Sequence, residues 1–574
     1  MLRIIFFILF YTGVFLPLNA QRQDNVWVFG YRFIEDSLAN GIFFHFDDSL
    51  KIIYRSKPMD FYTTSACISD SSGNLLIYSN GCYIENSEGL EIEGSSGLNP
   101  GILYDIFCAD DIGYNIPTGM IALPDPVNVT IKHFFHFPIV NNQNSVTQNL
   151  LHTSVDLAEN GGLGAVITKN TPVVFDTIGL DGIHVVKHAN GRDWLILIAK
   201  FESNKYYTLV LSPSGVLTQE QSIGVPTSND TWGKMCFSPD GSKLARFNTR
   251  DDLRLFDFDR CTGELSNPVF IPIEDDADNQ FYAGLAWSAD GHYLYAAEIK
   301  RILQFDMWAS DVAASMTVVA ERAPSPSPNL GFLEIGPNGY IYGNSLGGQR
   351  HMHRIKYPER GGLACEVQQS YYEFEYPYIN LPHFPNYRLG PLDGSPCDTL
   401  GLDNHPLAGW RYDKTGGLGV DFTSVSWYEP ETWWWDFGDP ASGSSNQTSE
   451  RNPVHTFSAP GAYEVCLTVS NQYGSDTKCR WVWLNTVSTD SPEARENQIV
   501  LYPNPTTGLL QWSGTTGEMV TVRVFDQLGV LAKAQNVNGV QLDLGELPNG
   551  LYFVQITGED GSILTTQKLT LLKH

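Results

Sequence analysis

Met235-Cys-Phe-Ser-Pro-Asp-Gly241 and Leu285-Ala-Trp-Ser-Ala-Asp-Gly291 are two copies of one pattern: a short apolar run, then a turn that ends on glycine. Leu333-Glu-Ile-Gly-Pro-Asn-Gly339 is a third copy. Adding Asn190-Gly191 gives four turn glycines spaced 50, 50 and 48 residues apart. A strand-like run follows each of the later turns, at Ser242 to Phe247, His292 to Ala297 and Tyr340 to Asn344. Ser72-Gly73-Asn74 before Leu75-Leu-Ile-Tyr78 is a degenerate earlier copy. A repeat of ~40–50 residues built from strands predicts a β-propeller with one four-stranded blade per repeat. One such sheet cannot cover both of its own faces, whereas radial stacking covers them and leaves only short edges. Residues 25–388 at this period make about seven blades. Six or eight stay open, because the stretch from Cys108 to Leu180 has no clean repeat. Val26-Trp-Val-Phe29 is expected to complete the final blade, and a pair of two-sheet sandwiches is the rival architecture.

Outward from the repeats, residues 389–416 are rich in Gly, Pro and Asp and read as a linker. Three motifs follow in order: Trp433-Trp-Trp-Asp-Phe-Gly-Asp439, Asn452-Pro-Val-His-Thr-Phe457 and Pro460-Gly-Ala-Tyr463. In these, Trp435, Phe437, Gly438, Asp439, Asn452, Pro453, His455, Phe457, Pro460, Gly461 and Tyr463 resemble the PKD domain, an immunoglobulin-like β-sandwich of extracellular modular proteins. The resemblance covers residues 417–485 and implies a spacer or binding module. Pro440 stands where that family usually has glycine, which puts the turn there in question. Tyr463 to Val469 and Asp476 to Trp483 read as strands folded about Gln472 and Tyr473, which sets Cys466 opposite Cys479 as a disulfide pair. Cross-strand Cβ atoms lie ~4.5–5.5 Å apart, slightly wide for a disulfide, so local adjustment is expected.

A second linker, residues 486–496, precedes Ile499-Val-Leu-Tyr-Pro-Asn-Pro505, Gly508, Leu547-Pro-Asn-Gly-Leu-Tyr552 and Lys568-Leu-Thr-Leu-Leu-Lys573. Through Tyr502, Pro503, Asn504, Pro505, Gly508, Pro548, Asn549, Gly550 and Tyr552, residues 497–574 are similar to the C-terminal sorting domain of the type IX secretion system. The resemblance implies a small β-sandwich that the secretion machinery recognises. It also implies a product released from, or attached to, the outer-membrane surface of a Gram-negative bacterium. At the other end, Arg3 and the apolar run Ile4 to Leu16 precede Ala20. That run is shorter than the ~20 residues of a spanning helix, so residues 1–20 read as a cleavable signal peptide. No later stretch is long enough to cross as a helix.

The fold class expected is therefore all-β: propeller, PKD sandwich and sorting sandwich. A formal charge of −28 argues against a nucleic-acid partner, which needs clustered Lys and Arg. Nine cysteines are an odd number, so at least one thiol stays free. No Cys-x-x-Cys, His-Glu-x-x-His, nucleophile elbow or P-loop occurs. His351-Met-His353 would share one face of a strand, whereas His133 and His136 would lie on opposite faces. Acids gather at Asp251-Asp252, Asp257 and Asp259, and Glu274 to Asp278. Calcium is conceivable there, although no EF-hand spacing exists; no cofactor and no catalytic or metal residue is assigned. Trp232, Trp287, Tyr340 and Tyr342 suit core packing better than a saccharide groove, and Trp434 is expected to face outward from its run. The function expected is a secreted or surface binding protein whose propeller takes an extracellular protein or glycan. The alternative is a secreted hydrolase working on glycans or peptides through the propeller's central pocket, where two carboxyls would have to converge.

Overall fold

The structure, a computed structural model, describes residues 21–31, 40–56, 59–139, 146–228, 232–273, 282–323, 328–345, 347–484, 501–502, 506–512, 519–526, 531–557, 563–571 and 573. The expected signal peptide and the expected linker 486–496 lie outside these residues. The chain forms two compact units, 1–485 and 486–574. Among the described residues the secondary structure is almost entirely strand. The longest helical element among them is the turn Pro440–Asn446, and no helix among the described residues is long and apolar enough to cross a membrane.

Among the described residues between Val26 and Tyr378, seven antiparallel sheets follow one another in chain order. The first two have three strands and the other five have four. The fifth shows why the sequence makes such a sheet. Lys234–Phe237, Lys243–Asn248, Asp252–Phe258 and Leu265–Ile271 form a meander of adjacent hairpins, the topology that short turns permit. Its first turn is closed by the amide of Gly241 donating to Ser238 O at 2.8 Å. The same bond recurs at His188/Gly191, Ser288/Gly291 and Gly336/Gly339, and all four glycines have φ between 72° and 78°. The sequence period is thus the recurrence of one left-handed position, where a side chain would be strained.

The four-stranded sheet Met120–Pro124, Ile131–His136, Thr147–Asp156 and Ala165–Ile178 occupies the region without a clean repeat. Its last two strands are long and broken by register shifts, which explains the lost period.

Val26–Phe29 does not complete the last sheet. It pairs with Asn40–Phe46, which pairs with Leu50–Ser56, while the last sheet (Leu333–Ile335, Ile341–Gly343, Gln349–Ile355, Val367–Tyr378) has four strands of its own. The two ends of the array meet instead through side chains. Trp27, Phe29, Phe44 and Phe46 share one core with Tyr342, Phe374 and Tyr378. Trp27 lies 5.0 Å from Phe46 and 5.5 Å from Tyr342, and Phe29 lies 5.4 Å from Tyr378. Aromatic faces do here what a shared strand was expected to do.

Residues 389–416 are not a free tether. Leu389 is buried, Leu392 N donates to Ala189 O at 2.8 Å, and Cys397 forms a disulfide with Cys261. Trp410–Gly416 is already a strand of the PKD sandwich. One sheet of that sandwich is Trp410–Gly416, Gly419–Ser424 and Val454–Thr456; the other is Thr432–Asp436, Gln447–Thr448, Gly461–Asn471 and Gly474–Leu484. Gly and Pro content signals turns, and turns serve a fixed strap as well as a loose one.

The described residues of the second unit form their own two sheets around Trp512, Val522, Tyr552, Val554 and Leu569.

Trp27→Ala should lower the unfolding free energy of the first unit by about 3–5 kcal/mol, read as a shift in the denaturant midpoint at unchanged slope.

Candidate functional site

The middle of the sheet array is occupied by the chain's own residues 379–391, which run along the ring axis from an upper mouth to a lower one. At the top, Asn380 Nδ2 donates to Thr63 O at 2.8 Å and Ile379 O accepts from Asn344 Nδ2 at 2.9 Å. Midway, His383 Nε2 lies 3.1 Å from Ile183 O, Phe384 N donates to Glu334 Oε1 at 3.3 Å, and Tyr387 OH donates to Ala122 O at 2.7 Å. Toward the bottom, Asn386 Nδ2 donates to Pro239 O at 2.8 Å, and Arg388 forms a two-pronged ion pair with Asp24. Phe384 stacks on Trp27 at 5.7 Å, and Tyr387 meets Trp194 edge-on at 5.6 Å. These partners lie on or beside the first, second, third, fourth, fifth and seventh sheets.

The PKD sandwich packs over the lower mouth. Tyr340 OH donates to Asp413 Oδ1 at 2.8 Å, and Arg411 reaches Lys356 O at 3.0 Å and Glu359 at 3.2 Å. Arg360 pairs with Asp421 at 2.9 Å, Lys478 pairs with Asp48 at 2.8 Å, and the Arg388 guanidinium lies 4.5 Å from the Trp427 ring centre. Two of the repeat glycines leave room for close approach, one beside the cap and one beside the axial segment. A Cβ on Gly339 would lie 2.8 Å from Val425, and one on Gly191 would lie 2.8 Å from Pro391.

Between cap and ring is a cavity of about 180 Å³, lined by Cys236, Trp287, Phe384, Trp427 and Arg451 among others. Its polar wall includes His184, His383, Lys234, Glu334, Asp24 and Arg388, so two histidines and two carboxylates do converge inside the channel. Each is engaged. Lys234 Nζ lies 2.7 Å from Glu334 Oε2 and also donates to Leu333 O. His184 Nε2 lies 2.9 Å from Asp181 O, and Asp181 is ion-paired with the buried Arg246. Burial raises the Glu334 carboxyl, against the pull of Lys234. Burial also pushes His383 down to about 3, helped by the Lys234 charge, and holds His184 well below its ordinary value.

The histidines read from sequence are placed apart. His353 is buried, with Nε2 3.1 Å from Ser345 Oγ and 2.9 Å from Asn329 O, and its Nδ1 accepts from Ser370 N at 3.0 Å. That ring holds up a hairpin and has no free nitrogen for a metal. His133 lies 2.8 Å from His152 and 3.0 Å from Asp125, whereas His136 bonds Asn99 and Thr153, so the two do face opposite ways. Among the acids, Asp257 pairs with Lys243 at 2.7 Å, Asp251 with Arg254 at 3.2 Å, and Asp259 caps the Cys261 amide at 2.7 Å. The expected cluster Glu274 to Asp278 lies outside the described residues. Trp287 and Tyr342 are buried, Tyr340 is buried against the cap, and Trp232 is half-buried at the upper mouth.

The motif residues of the two small modules act locally. In the PKD sandwich, Trp435 and Phe437 are buried, and Phe437 stacks on His455 at 4.1 Å. Asp439 accepts from Ser458 N at 2.8 Å and lies 3.3 Å from His455. Gly438 has φ 63°, and a Cβ there would lie 2.5 Å from Glu464 O. Asn452 Oδ1 accepts from Ser424 N at 2.9 Å, Pro453 O accepts from Phe422 N at 2.8 Å, and Tyr463 OH donates to Ala459 O at 2.7 Å. Phe457 is buried against Tyr463, and Gly461 opens the long strand just after Pro460. Pro440 starts the short helical turn, where its fixed φ fits and its missing N–H goes unneeded. Cys466 and Cys479 are directly opposed and disulfide-bonded, their Cα atoms drawn to 4.0 Å. A third disulfide joins Cys82 and Cys108, while Cys67, Cys236 and Cys365 take part in none.

In the terminal unit, Tyr552 OH donates to Pro548 O at 2.8 Å, Asn549 Oδ1 accepts from Lys573 N at 2.8 Å, and Gly550 opens the Tyr552 strand. Gly508 N donates to Thr506 Oγ1 at 3.2 Å. Pro503, Asn504 and Pro505 lie outside the described residues, as does the side chain of Tyr502.

Comparison with known proteins fits this division. A PKD domain model matches residues 416–482, and a secretion system C-terminal sorting domain model matches residues 500–571. The chain carries a PKD domain and a type IX sorting domain, which marks it for secretion or attachment at the outer-membrane surface. No curated protein matches it. Solved structures similar to it include a candidate 6-phosphogluconolactonase of Bacteroides fragilis, at 12% identity and TM-score 0.38, covering 62% of this chain and 96% of that one. The β-propeller domain of Cps50 (Swd1) from Myceliophteria thermophila matches at 11% and 0.33, covering 56% and 93%. PorZ of Porphyromonas gingivalis, a surface component of the type IX secretion system, matches at 13% and 0.23, covering 95% and 81%.

Because the folded pKa of His383 lies below its ordinary value, the folded state takes up its proton only at lower pH than the unfolded chain does. Stability is therefore full above about 6.5 and falls as the pH drops toward 3. His383→Gln should flatten the stability–pH curve between pH 6.5 and 4.5 by up to about 1.4 kcal/mol per pH unit, measured by urea unfolding.

Proposed function

We propose that this chain is an exported, non-catalytic binding protein of the bacterial surface. The propeller is its platform for an extracellular protein or glycan. The PKD domain stands between platform and sorting domain in chain order and closes one mouth of the channel. The sorting domain is the part that type IX machinery reads.

One observation carries the non-catalytic reading: the channel is occupied by residues 379–391, and its carboxylates are committed to cations. Glu334 is tied to Lys234, Asp24 to Arg388 and Asp181 to Arg246. A glycosidase needs two carboxyls ~5–9.5 Å apart, one able to give a proton and the other to attack or activate water. With residues 379–391 filling the axis and each of these carboxylates bonded to its own cation, the channel offers no pair arranged for those two roles. The acidic surface of a −28 chain keeps such a protein soluble and repels polyanions.

The full secreted chain, screened on protein and glycan arrays and incubated with polysaccharides and peptides, should bind one class and turn over none. Sustained product release above a heat-killed control would overturn the reading. In the producing bacterium, deletion of residues 497–574 should leave the protein in the periplasm, as judged by cell fractionation. Normal surface display of the truncated chain would contradict the export assignment.

A further inference from the structure

We propose that the outer face of the PKD sandwich is a second binding site, an open tryptophan platform for an unbranched neutral polysaccharide. The inference goes beyond the propeller reading and does not depend on what the propeller binds.

Strand alternation builds the face. In the sheet of Thr432–Asp436, Gln447–Thr448, Gly461–Asn471 and Gly474–Leu484, the side chains of Trp435, Val465, Leu467, Val469, Val482 and Leu484 are buried in the sandwich core. Their neighbours along each strand therefore point outward. Trp434, Trp481 and Trp483 are among these and are 50%, 55% and 62% exposed. Single exposed apolar side chains need no explanation, but three indoles on one face mark an interaction surface. The Trp481 and Trp483 ring centres lie 6.5 Å apart with planes inclined by 38°, and half or more of each indole is open to a ligand.

The ladder places the third ring. Trp434 pairs with Thr468, which pairs with Thr477. The next outward rung holds Asp436, Cys466 and Cys479, followed by Glu464 opposite Trp481 and Ala462 opposite Trp483. Two rungs and two strands thus separate Trp434 from Trp481, about 16 Å at ~3.4 Å per residue and ~4.8 Å per strand. The Cys466–Cys479 disulfide crosses the middle of this span and ties the two long strands together, so the platform is set before a ligand arrives.

What surrounds the indoles selects the ligand. Apart from the disulfide, the largest other apolar side chain on these rungs is Ala462; the remaining positions are Thr, Ser, Asp and Glu. The buried centre of a protein–protein contact is mostly apolar, and this face has no aliphatic side chains to build one. A sugar ring instead has an apolar C–H face and a rim of hydroxyls, which indoles interleaved with polar groups complement on both counts. Glu464 is exposed opposite Trp481, and its carboxylate has no hydrogen-bond or ion-pair partner among the described residues, so it is available to a hydroxyl. Asp436 and Glu464, the charged groups on these rungs, are both acids, whereas Lys478 and Arg480 alternate to the other side and reach Asp48. An anionic polysaccharide is disfavoured accordingly. An open sheet face has no side walls, which suits an extended chain lying across it.

The test is calorimetric titration of the full secreted chain with cellohexaose, xylohexaose and N-acetylchitohexaose, with heparin and polygalacturonate as anionic comparators. A neutral hexasaccharide should bind, and the double change Trp481→Ala with Trp483→Ala should weaken it by about tenfold or more. Trp434→Ala and Glu464→Ala should each weaken it by about threefold, and the melting temperature should hold in all three because these side chains are exposed. Trp308→Ala removes an equally exposed tryptophan of the propeller and should leave the affinity unchanged. If the double variant fails to fold, Trp434→Ala and Glu464→Ala decide. Absence of binding by all three neutral hexasaccharides, or binding indifferent to the Trp481, Trp483 and Trp434 changes, would overturn the inference. So would a protein or anionic glycan whose binding is lost with the indoles. None of these results touches the propeller reading, which fails instead if the double variant loses every ligand of the full chain or if the chain shows turnover.

Discussion

The structure of residues 21–484 depends on the axial segment 379–391. A ring of sheets has a hole at its centre, and an empty hole would leave the inner-strand side chains without neighbours. Here Phe384, Tyr387 and His383 fill it; His383 and Tyr387 bond the backbone of two sheets, and the Phe384 amide donates to the Glu334 carboxylate of a third. Asp24 and Arg388, 364 residues apart, close the assembly at the bottom. The same segment delivers the chain to the lower mouth, where the PKD sandwich begins. Closing the ring, filling its axis and placing the cap are thus one event.

This arrangement explains how a propeller can do without a shared closing strand. The first and last sheets adhere through Trp27, Phe44, Tyr342 and Tyr378, a non-directional contact worth little unless the two sheets are held in register. Asn344 and Asn380 supply that register at the top, and the Asp24–Arg388 pair supplies it at the bottom. Lys234 and Glu334, joined across 100 residues, contribute at mid-height. A buried ion pair is weak evidence for net stability, but each breaks badly if one partner is lost, which favours a single arrangement of sheets.

What could be read from the sequence followed the range of the interactions. The turns at Gly191, Gly241, Gly291 and Gly339 are local, as are the PKD contacts of Phe437 with His455 and the disulfide across one hairpin, so spacing and motif revealed them. Trp434 faces outward, as strand alternation requires. The strap 389–416 looked like a linker because nothing near it in sequence signals Cys261 or Ala189 as its partner. Trp232 was visible as a candidate aromatic, yet its place beside Tyr282 depends on radial stacking.

The most direct test of this account is amide hydrogen exchange of the full chain, resolved across residues 379–391. If the segment is an axial element, the amides of Phe384, Arg388 and Leu389 should exchange as slowly as those of the innermost strand Gly284–Trp287, through global unfolding only. Exchange of these amides within seconds, while the sheets stay protected, would contradict it.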